Sequence, residues 1–185
     1  MDQRADVERA GRGDHDAFAA LVRQSIAELE AVARLILRDP ELARDAVQEA
    51  YLRAWRNLPG LRDPDRFEPW LHRILVNECY AEARRQTRWS AAIRLLPIDG
   101  SAEAPGILSV NDRDQLERAF RRLTLEQRAV LVFHHYLDLP LPDVAIRLGI
   151  PLGTAKTRLY HATRALRASL EADARTPSVS RERLA

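Results

Sequence analysis

Along the long segments of this chain the apolar residues recur at steps of three and four, with no alternation of the kind a half-buried strand needs. Phe18, Leu21, Val22, Leu29, Val32, Ala33, Ile36 and Leu37 form one stripe on a helix that starts near Asp14 and stops before Pro40. Asp39 as N-cap, with Pro40 at the first helical position, opens a second helix running to about Asn57, ahead of Pro59-Gly60. Its inner side carries Leu42, Ala46, Val47, Ala50, Tyr51 and Ala54. A third helix is expected from Phe67 through Trp70, Leu71, Ile74 and Leu75 to about Gln86, behind the break at Asp63-Pro64-Asp65. The implied fold class is all-α.

Periodicity fails between Thr87 and Asn111, where Pro97, Gly100, Pro105 and Gly106 interrupt a mixed stretch. It resumes through Leu116, Ala119, Phe120 and Leu123, then from about Leu125 to Tyr136, from Pro142 to Leu148, and from Leu152 to Leu170 after Gly149-Ile150-Pro151. The expected organisation is two small helical domains, 1–86 and 112–172, joined by a flexible linker, 87–111, and followed by a frayed tail, 173–185. A flexible linker of about 25 residues has an r.m.s. span of roughly 25–30 Å and a fully extended reach of roughly 80 Å. Two bodies so tethered can sit on DNA more than one helical turn, roughly 34–36 Å, apart.

The hydrophobic fraction of 46% is ample for packed cores and argues against disorder throughout. The single cysteine, Cys79, excludes an intrachain disulfide and a cysteine-based zinc site. With neither a signal peptide nor an apolar run long enough to span a bilayer, the expectation is a soluble protein of the reducing cytoplasm.

The net charge of +2 conceals a local excess, because Val144 to Leu170 holds five basic residues (Arg147, Lys156, Arg158, Arg164, Arg167) and no acidic one. A short helix, a turn at Gly149 and a longer basic helix make the order of a helix-turn-helix, whose second helix enters the DNA major groove. Ala155, Leu159, Ala162 and Leu166 form the inner stripe of that second helix. Lys156, Thr157, Tyr160, His161 and Arg164 then face outward, several of them donors suited to base edges or phosphates. Thr154 at the helix start is placed either to bind a phosphate with the free backbone N–H groups or simply to cap the helix.

At this point the residues resemble a known family. The run from Leu137 to Arg167 resembles the sigma4 domain of extracytoplasmic-function sigma factors of the sigma-70 family. Pro40 to Trp55, followed by Phe67 to Arg85, resembles their sigma2 domain. The resemblance implies a bacterial subunit that joins core RNA polymerase, directs it to promoter DNA and assists promoter opening, with no cofactor and no resident metal. Family members are often held inactive by an anti-sigma factor, a partner that this sequence does not identify. In the family, a helix with the pattern D-x-x-Q-E docks on the polymerase; Asp45, Gln48 and Glu49 occupy that pattern here, and with Arg53 they lie off the apolar stripe of their helix.

The resemblance further places Asn77 at the position that reads an unstacked −10 base, with Trp70, Arg73, Arg84 and Arg85 as an aromatic surface and cations for a single strand. Ala81 departs from the aspartate or asparagine common four residues after that asparagine. For −35 binding it implies Thr154, Lys156, Thr157, Arg158, Tyr160, His161 and Arg164; Asp143, His161 and Thr163 depart from the usual residues.

Two other classes compete. A dimeric helix-turn-helix repressor accounts for the second half alone and leaves Asp45, Gln48 and Glu49 without a task. An enzyme would have only His134-His135 and scattered carboxylates to work with. Adjacent histidines on a helix point about 100° apart and do not form the i, i+4 pair of a helical zinc site, so packing is the expected role of these two.

Overall fold

The computed structural model describes residues 3–94 and 118–175, and among them there are helices and turns but no strand. Four helices make the N-terminal body: α1 (Gln3–Gly11), α2 (His15–Leu37), α3 (Pro40–Asn57) and α4 (Phe67–Arg94), with short 3-10 turns at Leu58–Gly60 and Pro64–Arg66. The C-terminal body holds the helical turn 118–121, then α5 (Leu125–Leu131), which winds on as a π turn (Val132–Tyr136), α6 (Leu141–Leu148) and α7 (Leu152–Arg175).

The helix starts follow local chemistry. The Asp14 carboxylate accepts from the Ala17 backbone N–H and also meets Arg9 of α1 at 2.6 Å, two contacts that hold its pKa below the usual carboxylate range. Asp39 accepts from the N–H groups of Glu41 and Leu42, with Pro40 behind it. Thr124 and Gln127 exchange the reciprocal bonds of a capping box. Asp39 caps where the sequence places it, and α2 begins beside Asp14 as expected. Helix α1, for which the apolar spacing gives no signal, uses Val7 and Ala10 as its buried contacts.

Helix α3 lies between α2 and α4 because its inner side is nearly all alanine: Ala43, Ala46, Ala50 and Ala54 are each at most 1% exposed and let neighbouring backbones approach closely. Phe67, Leu71, Ile74, Leu75, Val76 and Cys79 of α4 complete this core. Burial pushes the Cys79 thiol up to about 12, so it stays protonated and inert at neutral pH.

In the C-terminal body α6 ends at Gly149, whose φ of 65° is the left-handed conformation that glycine adopts at no steric cost. That turn swings α7 across α5 and α6, burying Ala155 and Ala162 completely and Leu159 in part.

Two expectations are corrected. Helix α4 continues to Arg94, so 87–94 is helix and not linker; no proline or glycine occurs before Pro97 to stop it. Helix α7 likewise continues past Leu170 to Arg175. The two bodies meet along a seam. Val130, Phe133, Val144 and Leu148 join the apolar cluster of α2, α3 and α4, so one continuous core crosses the seam. The cause is a second apolar face on the C-terminal body that its own helices do not cover. The remainder of the expected linker, 95–111, and the tail from 176 onward lie outside the described residues.

Candidate nucleic-acid and polymerase interfaces

On α3, Asp45 and Gln48 are exposed and Glu49 is half-buried, all on the side opposite the alanine face. Beside Gln48 runs an open apolar groove between α2 and α3, lined by Phe18, Ile26, Val47, Tyr51, Leu52 and Trp55. Phe18 packs between the Tyr51 and Trp55 rings at centroid distances of 6.5 and 4.9 Å, and the Tyr51 hydroxyl shares a 2.8 Å hydrogen bond with Ser25. Sequence reading missed this groove because it assigned Tyr51 wholly to the core; exposed Ile26 and Leu52, off the main stripes, were the available signal. Arg53 is exposed but committed within the molecule, with its guanidinium 3.0 Å from the carboxylate of Glu78, itself 3% exposed.

Along α4, Arg73, Asn77, Arg84 and Arg85 are exposed, and Arg85 pairs with Glu82 one turn earlier. Trp70 is half-buried against the core with its ring 6.0 Å from that of Phe67, which leaves only part of its face for any ligand. Ala81 is half-buried and offers no polar group.

On α7, Lys156, Thr157, Tyr160, His161 and Arg164 are all exposed, as the inner stripe of Ala155 and Ala162 requires. Tyr160 and His161 meet edge to face at 5.4 Å. The Thr157 hydroxyl donates to the Gly153 carbonyl, so its proton is spent inside the helix. Thr154 lies in the first turn, two residues inside the helix start at Leu152, and therefore does not serve as the N-cap. Arg158 is half-buried and turned toward the seam, where its charge acts on the Tyr80 hydroxyl of α4; burial first, then Glu126, raises that phenol to about 12 against the pull of Arg158. Arg158 thus departs from the outward set.

His134 is half-buried, with Nδ1 2.8 Å from the Leu139 carbonyl, and closes the π turn; His135 is exposed beside it. Among the described residues, Glu28, Glu68 and His72 bring one ligand-type atom each within 4.8 Å of one another. The positive charge at that node is the Arg147 guanidinium.

Two helical bodies in this order, the second ending in a helix-turn-helix with a basic outer face, define a class of DNA-directed proteins, and comparison with known proteins gives the class its family. The model for Sigma-70 region 2 matches residues 21–88, and that for Sigma-70 region 4 matches residues 113–166. The ECF RNA polymerase sigma factor SigM of Mycobacterium tuberculosis is 36% identical over 151 residues, 81% of this chain and 75% of SigM. SigL of the same species is 32% identical over 171 residues, 90% of this chain and 96% of SigL. The solved structure of CnrH in complex with the cytosolic domain of CnrY aligns with a TM-score of 0.65 at 27% identity, covering 92% of this chain and 98% of that one. Sigma factor RpoE of Bartonella quintana, solved with the anti-sigma factor NepR, has a TM-score of 0.66 at 24% identity over 84% of this chain and 98% of its own, and supports the fold.

The chain belongs to the extracytoplasmic-function sigma factors of the sigma-70 family. It directs RNA polymerase in transcription initiation. No described helix is long and apolar enough to cross a membrane.

Proposed function

We propose that each body carries one part of promoter recognition and that the N-terminal body also grips the enzyme. Asp45, Gln48 and Glu49, with the apolar groove beside them, receive a helical element of core polymerase. The observation that carries this is their juxtaposition: a polar ridge of acids and an amide flanks an unpartnered aromatic and aliphatic trough, the pattern of a groove that seats an amphipathic helix. Arg53 contributes indirectly, by neutralising Glu78 beneath α3.

Asn77 reads an unstacked base, its amide offering both donor and acceptor, while Arg73, Arg84 and Arg85 line the strand. Thr154, Lys156, Thr157, Tyr160, His161 and Arg164 face the −35 duplex, and Arg158 supports the helix from the seam side. The chain works in the bacterial cytoplasm, turns over no substrate, and is restrained by an anti-sigma factor, as RpoE is bound by NepR.

Exchanging Gln48 and Glu49 together for alanine is expected to weaken binding to core polymerase by about ten- to a hundredfold while leaving helical content and thermal midpoint near those of the parent. Titration of labelled protein with core measures this. Parental affinity in the double variant would remove the docking ridge from the account.

A further inference from the structure

The seam between the two bodies runs along the side of α4 assigned above to single-stranded DNA, leaving Arg73, Asn77, Arg84 and Arg85 exposed at its edge. Arg147 of α6 donates from its guanidinium NH2 to Glu68 at 2.8 Å and from Nε to Nδ1 of His72 at 3.2 Å. A methyl group built on Gly149 would stand 2.7 Å from Nε of Arg73, so the helix-turn-helix turn sits on that arginine. Further along α4, Tyr80 faces Glu126 and Arg158, and Ala83, Arg84, Thr87 and Arg88 share a crevice with Leu125. At 100° per residue Asn77 lies within about 60° of Arg73, Tyr80 and Arg84 on the helix circumference. Its side chain is exposed, but a strand laid past it along α4 would meet the Gly149 turn at Arg73 and Leu125 beside Arg84.

We propose that the docked arrangement is a self-occluded resting state, latched by Arg147 on Glu68 and a neutral His72, and that the chain must open before it reaches a promoter. His72 is 1% exposed, and every group around it is accounted for. Its Nε2 is 2.9 Å from Glu28 of α2, Phe133 of the π turn meets its ring edge-on at 5.2 Å, Glu68 lies one turn away on α4, and Arg147 approaches from α6. Because Arg147 can only donate, Nδ1 accepts, and the single ring proton sits on Nε2 facing Glu28. A second proton would set N–H against N–H at the Arg147 contact and break the latch.

Burial holds the closed-state imidazole below its ordinary value, with Arg147 acting in the same sense against the upward pull of Glu28 and Glu68. Opening removes the seam side of that burial and the guanidinium but leaves both carboxylates, so the open state binds the proton more tightly. Closure is therefore fully supported above the open-state pKa and lost as pH falls toward the closed-state one. Within that window the open population grows by at most about tenfold per pH unit.

The latch is independent of the assignment of α4 to DNA; only its purpose rests on that assignment. Small-angle scattering of the full chain at pH 8 and pH 5.5, with circular dichroism to verify intact helices, tests the latch. The parent should be compact at pH 8 and larger at pH 5.5, while Arg147→Ala and Glu68→Ala should already be expanded at pH 8 and nearly insensitive to pH. Equal radii for parent and Arg147→Ala, or a parent radius that ignores pH, overturns the latch. A short fluorescent single-stranded DNA rich in A and T should bind Arg147→Ala more tightly than the parent. Expansion without that gain would leave the latch standing and overturn the occlusion.

Discussion

Phe133→Ala is expected to cost about 3–5 kcal/mol of folding stability, the range for deleting a fully buried aromatic ring whose cavity cannot collapse. Phe133 is 0% exposed and sits where the π turn meets α2 and α4, so its removal opens a void on both sides of the seam. Against a typical domain stability of roughly 5–15 kcal/mol this is a large fraction. The loss should also uncouple the bodies. The chain's three tryptophans, Trp55, Trp70 and Trp89, all precede the C-terminal body, so their fluorescence reports the N-terminal half, whereas far-ultraviolet circular dichroism reports both. In urea the parent should give coincident transitions, and Phe133→Ala a dichroism transition that begins at lower denaturant than the fluorescence one. Coincident curves with a shift below about 1 kcal/mol would mean that the seam contributes little to holding the fold.

The second large effect falls on function and spares stability. Lys156 and His161 are exposed on α7, so truncating them removes no core contact and should leave the unfolding midpoint within about 0.5 kcal/mol of the parent. Two lost contacts to base edges at roughly 1–3 kcal/mol each should lower transcription from a dependent promoter by about thirtyfold to about twenty-thousandfold. Affinity for core polymerase should be unchanged, because Asp45, Gln48 and Glu49 stand on the other body. Run-off transcription with reconstituted holoenzyme, on promoters altered at the upstream element, reads the effect. Retained discrimination among those promoters would take base reading away from these two side chains.

How far the sequence speaks depends on the range of the interaction concerned. Local rules placed the helix start near Asp14, the cap at Asp39, the turn at Gly149 and the inward stripe of α7, because each depends on residues within one or two helical turns. Periodicity identifies which face of a helix is buried but not what covers it. Val144 and Leu148 read equally well as core of their own body, yet they also reach α4, and Phe133 reaches His72 across more than sixty residues of chain. The same limit hid Arg147, which reads as one cation in a basic stretch and becomes a partner of Glu68 and His72 only when α6 lies on α4. Arg53 and Arg158 sit at positions open to solvent on a helix wheel, yet Arg53 pairs with Glu78 of α4 while staying exposed, and Arg158 is half-buried where its charge acts on Tyr80. The outward set on α7 was legible because nothing described packs against that side.

As a sigma factor this chain confers start-site choice on an enzyme that lacks it. The direct measurement is to mix the purified full chain with core RNA polymerase, transcribe fragmented genomic DNA, and map the 5′ ends of the products. Discrete ends preceded at fixed spacing by two short shared sequence blocks, absent when core acts alone, are the expected result. Ends scattered as they are with core alone, or a chain that does not co-migrate with core, would contradict it.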